Sequence, residues 1–164
     1  MPGRRSSSRG RCLPSREELL ERARSLGLPY AEEVADFCSA IIEAFEPWCI
    51  IIHGSVARSD YVLGRSDVDV LVISDRFEGM DVRDRIGELL SYGAGRAILF
   101  EALGFTREEA LHMLEDLNLL MLDALHHGKV IYDRGFYKQL KARFEELVAE
   151  RGLVKIRKGW MATR

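Results

Sequence analysis

Apolar positions follow two rhythms along this chain. From Val34 to Phe45 they recur at helical spacing, with Val34, Phe37, Cys38, Ile41, Ile42 and Phe45 on one face. Pro29 opens this helix and Pro47 closes it, while Glu32 and Glu33 suit its first turn, where the helix dipole favours negative charge. An earlier helix is expected from Ser15, which forms a capping-box pattern with Glu18, to about Gly27. Asp81 caps another that runs to about Tyr92, stopped by Gly93 and Gly95. Thr106 and Glu109 form a further capping box. The pattern from Leu111 through Leu114, Leu117, Met121 and Leu125 predicts one continuous helix to His127, stopped by Gly128. Leu119 and Leu122 widen its apolar face, enough to bury against another helix or a second subunit. Phe136, Leu140, Phe144 and Leu147 mark a last helix from Asp133 to Gly152.

The second rhythm is that of strands. Trp48 to Ile52, Val68 to Ile73 and Ala97 to Leu103 are short apolar runs rich in β-branched residues, and Lys129 to Tyr132 makes a fourth, shorter piece. Strands separated by helices predict an α/β fold, a small mixed sheet backed by helices.

Polar residues that interrupt the apolar runs carry the candidate chemistry. The first strand ends in Gly54-Ser55, and the next carries Asp67 and Asp69. Residues two apart on a strand share a face, so the two carboxylates project together. Such a pair repels unless a cation lies between them or one stays protonated. Mg²⁺ suits paired carboxylates that share it with substrate phosphates. Two solvated Asp residues on an edge strand are the plainer alternative, but Asp is disfavoured within strands and here occurs twice in an apolar run. Gly54 permits close approach of backbone to a ligand, and Ser55 can cap a short helix whose free N–H groups attract anions. Arg58 adds a cation or braces the turn.

Gly54-Ser55-Val56-Ala57-Arg58, followed by Ser66-Asp67-Val68-Asp69, resembles the signature of the DNA polymerase beta-like nucleotidyltransferase superfamily, and within it the minimal, antitoxin-like members. One departure is Ser59, where the family commonly has Gly. The resemblance implies the polymerase-beta-like fold. It also implies a catalytic, metal-binding set of Asp67, Asp69 and Glu101, the last being the acidic residue in the strand that starts near Ala97. It implies that Gly54, Ser55, Arg58 and Ser66 hold an NTP, with ATP favoured, and that two Mg²⁺ ions serve the reaction. The implied activity moves an NMP, AMP from ATP in the favoured case, to a hydroxyl of a protein or small molecule. Small members of the family often act as antitoxins that pair with a helical HEPN ribonuclease. Two other readings stay open: a module that binds NTP or a partner without turnover, and an RNA-end nucleotidyltransferase.

Composition narrows these readings only slightly. The chain has 164 residues, 47% of them hydrophobic, and a net charge of −2, which suits one globular domain and argues weakly against a dedicated nucleic-acid binder. Cys12, Cys38 and Cys49 have no paired metal spacing; with no signal peptide, they fit a reducing cytoplasm. No run is apolar enough to span a membrane. Residues 1–13 read as a disordered basic tail with Arg4, Arg5, Arg9 and Arg11, residues 14–152 as the domain, and residues 153–164 as a second basic tail. That second tail carries Lys155, Arg157 and Lys158 beside Trp160, a mixture that can contact RNA. Asp123, His126 and His127, at a helix end, are alternative metal ligands, although a helix end favours His for its dipole alone.

Overall fold

The computed structural model describes residues 12–164. The arginines of the N-terminal basic segment lie outside the described residues. Helix α1 (Arg16–Ser25) starts at Ser15, whose hydroxyl accepts from the Glu18 N–H at 3.1 Å. Helix α2 is Ala31–Phe45, and strand β1 is Cys49–His53. A single turn of helix, α3 (Gly54–Arg58), leads through a loop to β2 (Val68–Ile73). Helix α4 (Val82–Gly93) precedes β3 (Phe100–Phe105), and the capping box at Thr106 opens α5 (Arg107–Glu115). Then come α6 (Leu119–His127), β4 (Lys129–Asp133) and α7 (Phe136–Arg151). The chain closes with a hairpin of β5 (Leu153–Ile156) and β6 (Gly159–Ala162).

The main sheet has the order β3-β2-β1-β4. β2 runs parallel to β3, and β1 is antiparallel to both β2 and β4, so the sheet is mixed, as the sequence pattern predicts. Because β1 and β2 are central, both their faces are apolar. Ile50, Ile52, Val70 and Val72 face α1, α2 and α4, whereas Cys49, Ile51, Leu71 and Ile73 face α5, α6 and α7. Each fully buried aliphatic chain contributes roughly 1.5–3 kcal/mol. The alternation also fixes which face is functional. His53, Asp69 and Glu101 continue the second face beyond its apolar part, at the end of the sheet where β1 stops and β2 and β3 start.

Two expectations are corrected. The helix expected from Thr106 to His127 is two helices. Leu117 takes a left-handed backbone (φ 55°), and the Asn118 side chain caps α6 by accepting from Met121 N–H at 3.2 Å. The break turns Leu119 to the surface and wraps α6 over β1, so the surplus apolar residues are shared between two directions. Strand β3 starts at Phe100 rather than Ala97, because pairing with β2 in parallel register sets its limits. Among the described residues no helix is long and apolar enough to cross a membrane.

Candidate active site

The site begins with Gly54. Its φ of +68° lies in the left-handed region that favours glycine. A Cβ built there would stand 2.0 Å from the Asp69 Oδ2. Only glycine lets the turn after β1 close onto this carboxylate. Ser55 is half-buried behind it, and Arg58 ends α3 exposed, with Nε donating to Asp60 Oδ2 at 3.2 Å. Ser59 follows at φ +63°, which gives a physical reason for the glycine common at that position.

The sheet register assembles the acids. Asp69 is directly opposite Glu101 on β3 and opposite His53 on β1. Asp67 lies just before β2, close enough for its charge to act on Asp69. Phe100 fixes the start of β3 by stacking on Phe37 of α2, with ring centroids 4.2 Å apart, and Glu101 then points to the opposite, exposed side. Burial first, then a side-chain hydrogen bond with Glu101 and the charges of Glu101 and Asp67, push the Asp69 carboxyl up to about 6; Arg58 opposes the rise. Closely set carboxylates disfavour each other's charge when no cation lies between them, and Asp69 carries that effect here.

His53 is a polar residue the sequence reading passed over. It is 8% exposed, and its Nε2 has no hydrogen-bond partner among the described residues. Burial, then the Arg58 charge, bring its pKa down to about 4, so the ring is neutral at pH 7. The only visible signal was a His ending an apolar run at the Gly54 turn. A groove of about 390 Å³ opens here, lined by His53, Asp69 and Glu101 together with Leu90, Leu99 and Leu120.

The remaining site residues are used differently. Ser66 stabilises the loop before β2, its hydroxyl accepting from Val62 N–H at 2.7 Å. The structure thereby gives Ser66 a loop-bracing role beside any ligand contact. Asp123 Oδ1 accepts from Lys155 Nζ and from Trp160 Nε1, each at 2.9 Å. Among the described residues no group of three or more His, Cys, Asp or Glu side chains is arranged to hold a metal ion. The alternative at Asp123, His126 and His127 therefore has no support. For the set around Asp69 the donor chemistry suits a hard divalent cation, since it is all carboxylate oxygen. There the sheet register sets Asp69 and Glu101 directly opposite each other.

The sequence profile described as "Nucleotidyltransferase domain" matches residues 38–121. That span is just over half of the chain and holds Gly54, Ser55, Arg58, Ser66, Asp67, Asp69 and Glu101. The chain belongs to the nucleotidyltransferase-domain family. Its fold is the mixed α/β sheet backed by helices described above. No curated protein matches by sequence. Solved structures that resemble it include a toxin–antitoxin assembly with AMP-PNP, 15% identical, covering 85% of this chain and 94% of that one at a TM-score of 0.43. A candidate nucleotidyltransferase from Sulfolobus solfataricus is 18% identical over 79% of this chain and 94% of that one, with a TM-score of 0.41. A Shewanella oneidensis complex of a tri-AMPylated HEPN toxin with an MNT antitoxin gives 13% identity, 84% and 93% coverage, and a TM-score of 0.39.

Proposed function

We propose that this nucleotidyltransferase-domain protein transfers a nucleoside monophosphate, AMP from ATP, to a hydroxyl of a protein or small-molecule acceptor. The observation that carries the reading is the register of Asp69 against Glu101, with Asp67 one residue before the strand and Gly54 closed over the Asp69 carboxylate. Acids gathered at the end of a sheet beside a Gly-Ser turn are poor structure but useful chemistry.

Asp67, Asp69 and Glu101 would hold two Mg²⁺ ions. Bound there, Mg²⁺ neutralises phosphate charge and lowers the pKa of an acceptor hydroxyl. The protein's own part is positioning and charge. Gly54 leaves room for phosphate against the backbone, and the Ser55 hydroxyl and Arg58 guanidinium supply a donor and a cation beside it. Glu101, the exposed acid, borders the groove from which an acceptor can approach. His53 offers an uncharged ring nitrogen at the wall of that groove. The acceptor hydroxyl gives up its proton to solvent, its oxygen forms a bond to the α-phosphorus, the bond to the bridging oxygen breaks, and pyrophosphate leaves with that electron pair. Alignment of the reactants and electrostatic stabilisation supply most of the acceleration.

The resemblance to minimal nucleotidyltransferases favours an antitoxin whose acceptor is a helical HEPN-type protein. One observation favours a second reading, a module that binds nucleotide or a partner without turnover: Asp69 and Glu101 face each other directly in the sheet, and burial together with the facing Glu101 pushes the Asp69 carboxyl up, toward its neutral form.

Label transfer tests the proposal. The purified protein is incubated with Mg²⁺ and each α-labelled NTP in turn, with host lysate as acceptor, beside Asp67→Ala/Asp69→Ala. A labelled macromolecule seen only with the wild type is expected. Equal labelling by the double variant would sink the assignment, and nucleotide binding without label would favour the module.

A further inference from the structure

The C-terminal segment is a hairpin held against α6 and α7 and lies outside the family-matched span. Trp160 anchors it, donating to Asp123 and meeting Phe144 edge-on at 5.8 Å. The main-chain N–H of Thr163 returns to the carbonyls of Arg151 and Gly152. The hairpin turn consists of Arg157 and Lys158. Two-residue hairpin turns select Asn, Asp or Gly for backbone reasons, and two adjacent cations answer no such need.

These cations border a cleft of about 500 Å³ whose other basic walls are Lys155 and Arg58. Its two acids are already engaged, Asp60 by Arg58 at 3.2 Å and Asp123 by Lys155 at 2.9 Å. Arg157 and Lys158 are exposed and pair with no acid among the described residues. The chain as a whole carries a net charge of −2, so this local excess of positive charge runs against the overall balance.

Arg58 joins the cleft to the acid site. It lines the cleft, ends the turn that begins at Gly54, and lies near enough to Asp69 for its charge to act there. In the sheet, Glu101 is on β3, Asp69 on β2, and α3 follows β1, so the basic cleft lies on the side of Asp69 away from Glu101. In-line phosphoryl transfer places attacking and leaving oxygens on opposite sides of phosphorus. With the acceptor at the Glu101 groove, the leaving group departs toward Arg58.

We infer that the cleft between α3 and the β5–β6 hairpin binds a polyphosphate chain, and that Arg157 and Lys158 hold the pyrophosphate end of the nucleotide. The nucleotide part of this inference rests on the function proposed above; the polyphosphate part does not.

Binding is measured by calorimetry on the full chain with tripolyphosphate, ATP, AMP and a single-stranded RNA oligonucleotide. The proteins are wild type, Arg157→Ala/Lys158→Ala, and the charge-keeping Arg157→Lys/Lys158→Arg, each checked for an unchanged thermal transition. Wild type is expected to bind tripolyphosphate and ATP well above AMP. The alanine pair should lose roughly tenfold or more for both, about what one lost charge-assisted contact is worth, while AMP binding stays put and the charge-keeping pair is restored. Tripolyphosphate binding that is lost in the alanine pair, with no ATP binding by wild type, would support the cleft and overturn the nucleotide reading. Equal tripolyphosphate binding by wild type and the alanine pair would overturn the cleft whatever ATP does. So would a loss confined to RNA.

Discussion

The two ends of the main sheet treat charge in opposite ways. At the end where β1 starts, Asp75 and Glu46 each meet an arginine. Asp75 accepts from Trp48 Nε1 at 3.1 Å and from Arg107, whose guanidinium comes within 2.6 Å. The Trp48 ring is sandwiched between Arg107 and Arg134, at 3.9 and 4.3 Å from its centroid. At the end where β1 stops, acid faces acid and His53 Nε2 has no hydrogen-bond partner among the described residues. The carboxyls respond accordingly. Burial alone would raise Asp75, but the hydrogen bonds from Arg107 and Trp48 outweigh it and hold the group below the ordinary carboxylate range. Asp69, with burial and acids acting in the same direction, is pushed up. One end is built for stability, whereas the other keeps unmatched charge that a ligand must satisfy. A perturbed carboxyl facing a second acid in a groove is what a functional site looks like physically.

The largest effect should come from closing the unmatched end sterically. Gly54→Ala forces a side chain into the left-handed region, at roughly 1–2 kcal/mol, and drives its Cβ into Asp69. Label transfer should fall by about 10²-fold or more, and the unfolding midpoint should drop as well. Transfer at the wild-type rate would mean that the close approach of Gly54 to Asp69 has no role.

Breaking the matched end should cost stability and leave transfer alone. Asp75→Asn should lose about 1 kcal/mol at pH 7, a modest figure because the pair is half-exposed. Since the Asp75 carboxyl is depressed in the fold, its contribution is present above the unfolded value of about 4 and is lost as pH falls through the folded value. Denaturant curves of wild type and Asp75→Asn should therefore draw together as the pH falls below the unfolded value of about 4 and through the lower folded value. A gap that persists there would show that the pairing is not the source of the difference.

A smaller change sharpens the loop beside the unmatched end. Ser59 sits at φ +63°, so Ser59→Gly should gain up to about 1 kcal/mol by relieving that backbone strain. Chemical denaturation measures it, and a loss of stability would mean that the Ser59 side chain does something its backbone does not reveal.

How far the sequence reached depended on the range of the interaction. Local signals were readable: the capping residues Ser15, Asp81 and Thr106 start their helices as expected, and β2 spans the expected Val68 to Ile73. Asp67, Asp69 and the Gly54 turn were legible because one short stretch holds them all. The resemblance named Glu101, and its place opposite Asp69 is a fact of strand register. The break at Leu117 was hidden because an unbroken apolar stripe masks a change of direction that Asn118 alone announces. The cleft lined by Arg58, Arg157 and Lys158 could not be read at all, since the residues that build it are about a hundred positions apart and only the folded hairpin brings them together.

Thermal unfolding of wild type and Asp69→Asn, each in EDTA and in Mg²⁺ with ATP, tests the central claim most directly. Without metal the account predicts that Asp69→Asn melts higher, because it removes one of the crowded acids. With Mg²⁺ and ATP it predicts the reverse order, the wild type rising as the ligand satisfies the acids and the variant staying where it was. A variant that gains as much from Mg²⁺ and ATP as the wild type would contradict the account, because Asp69 would then have no part in binding either.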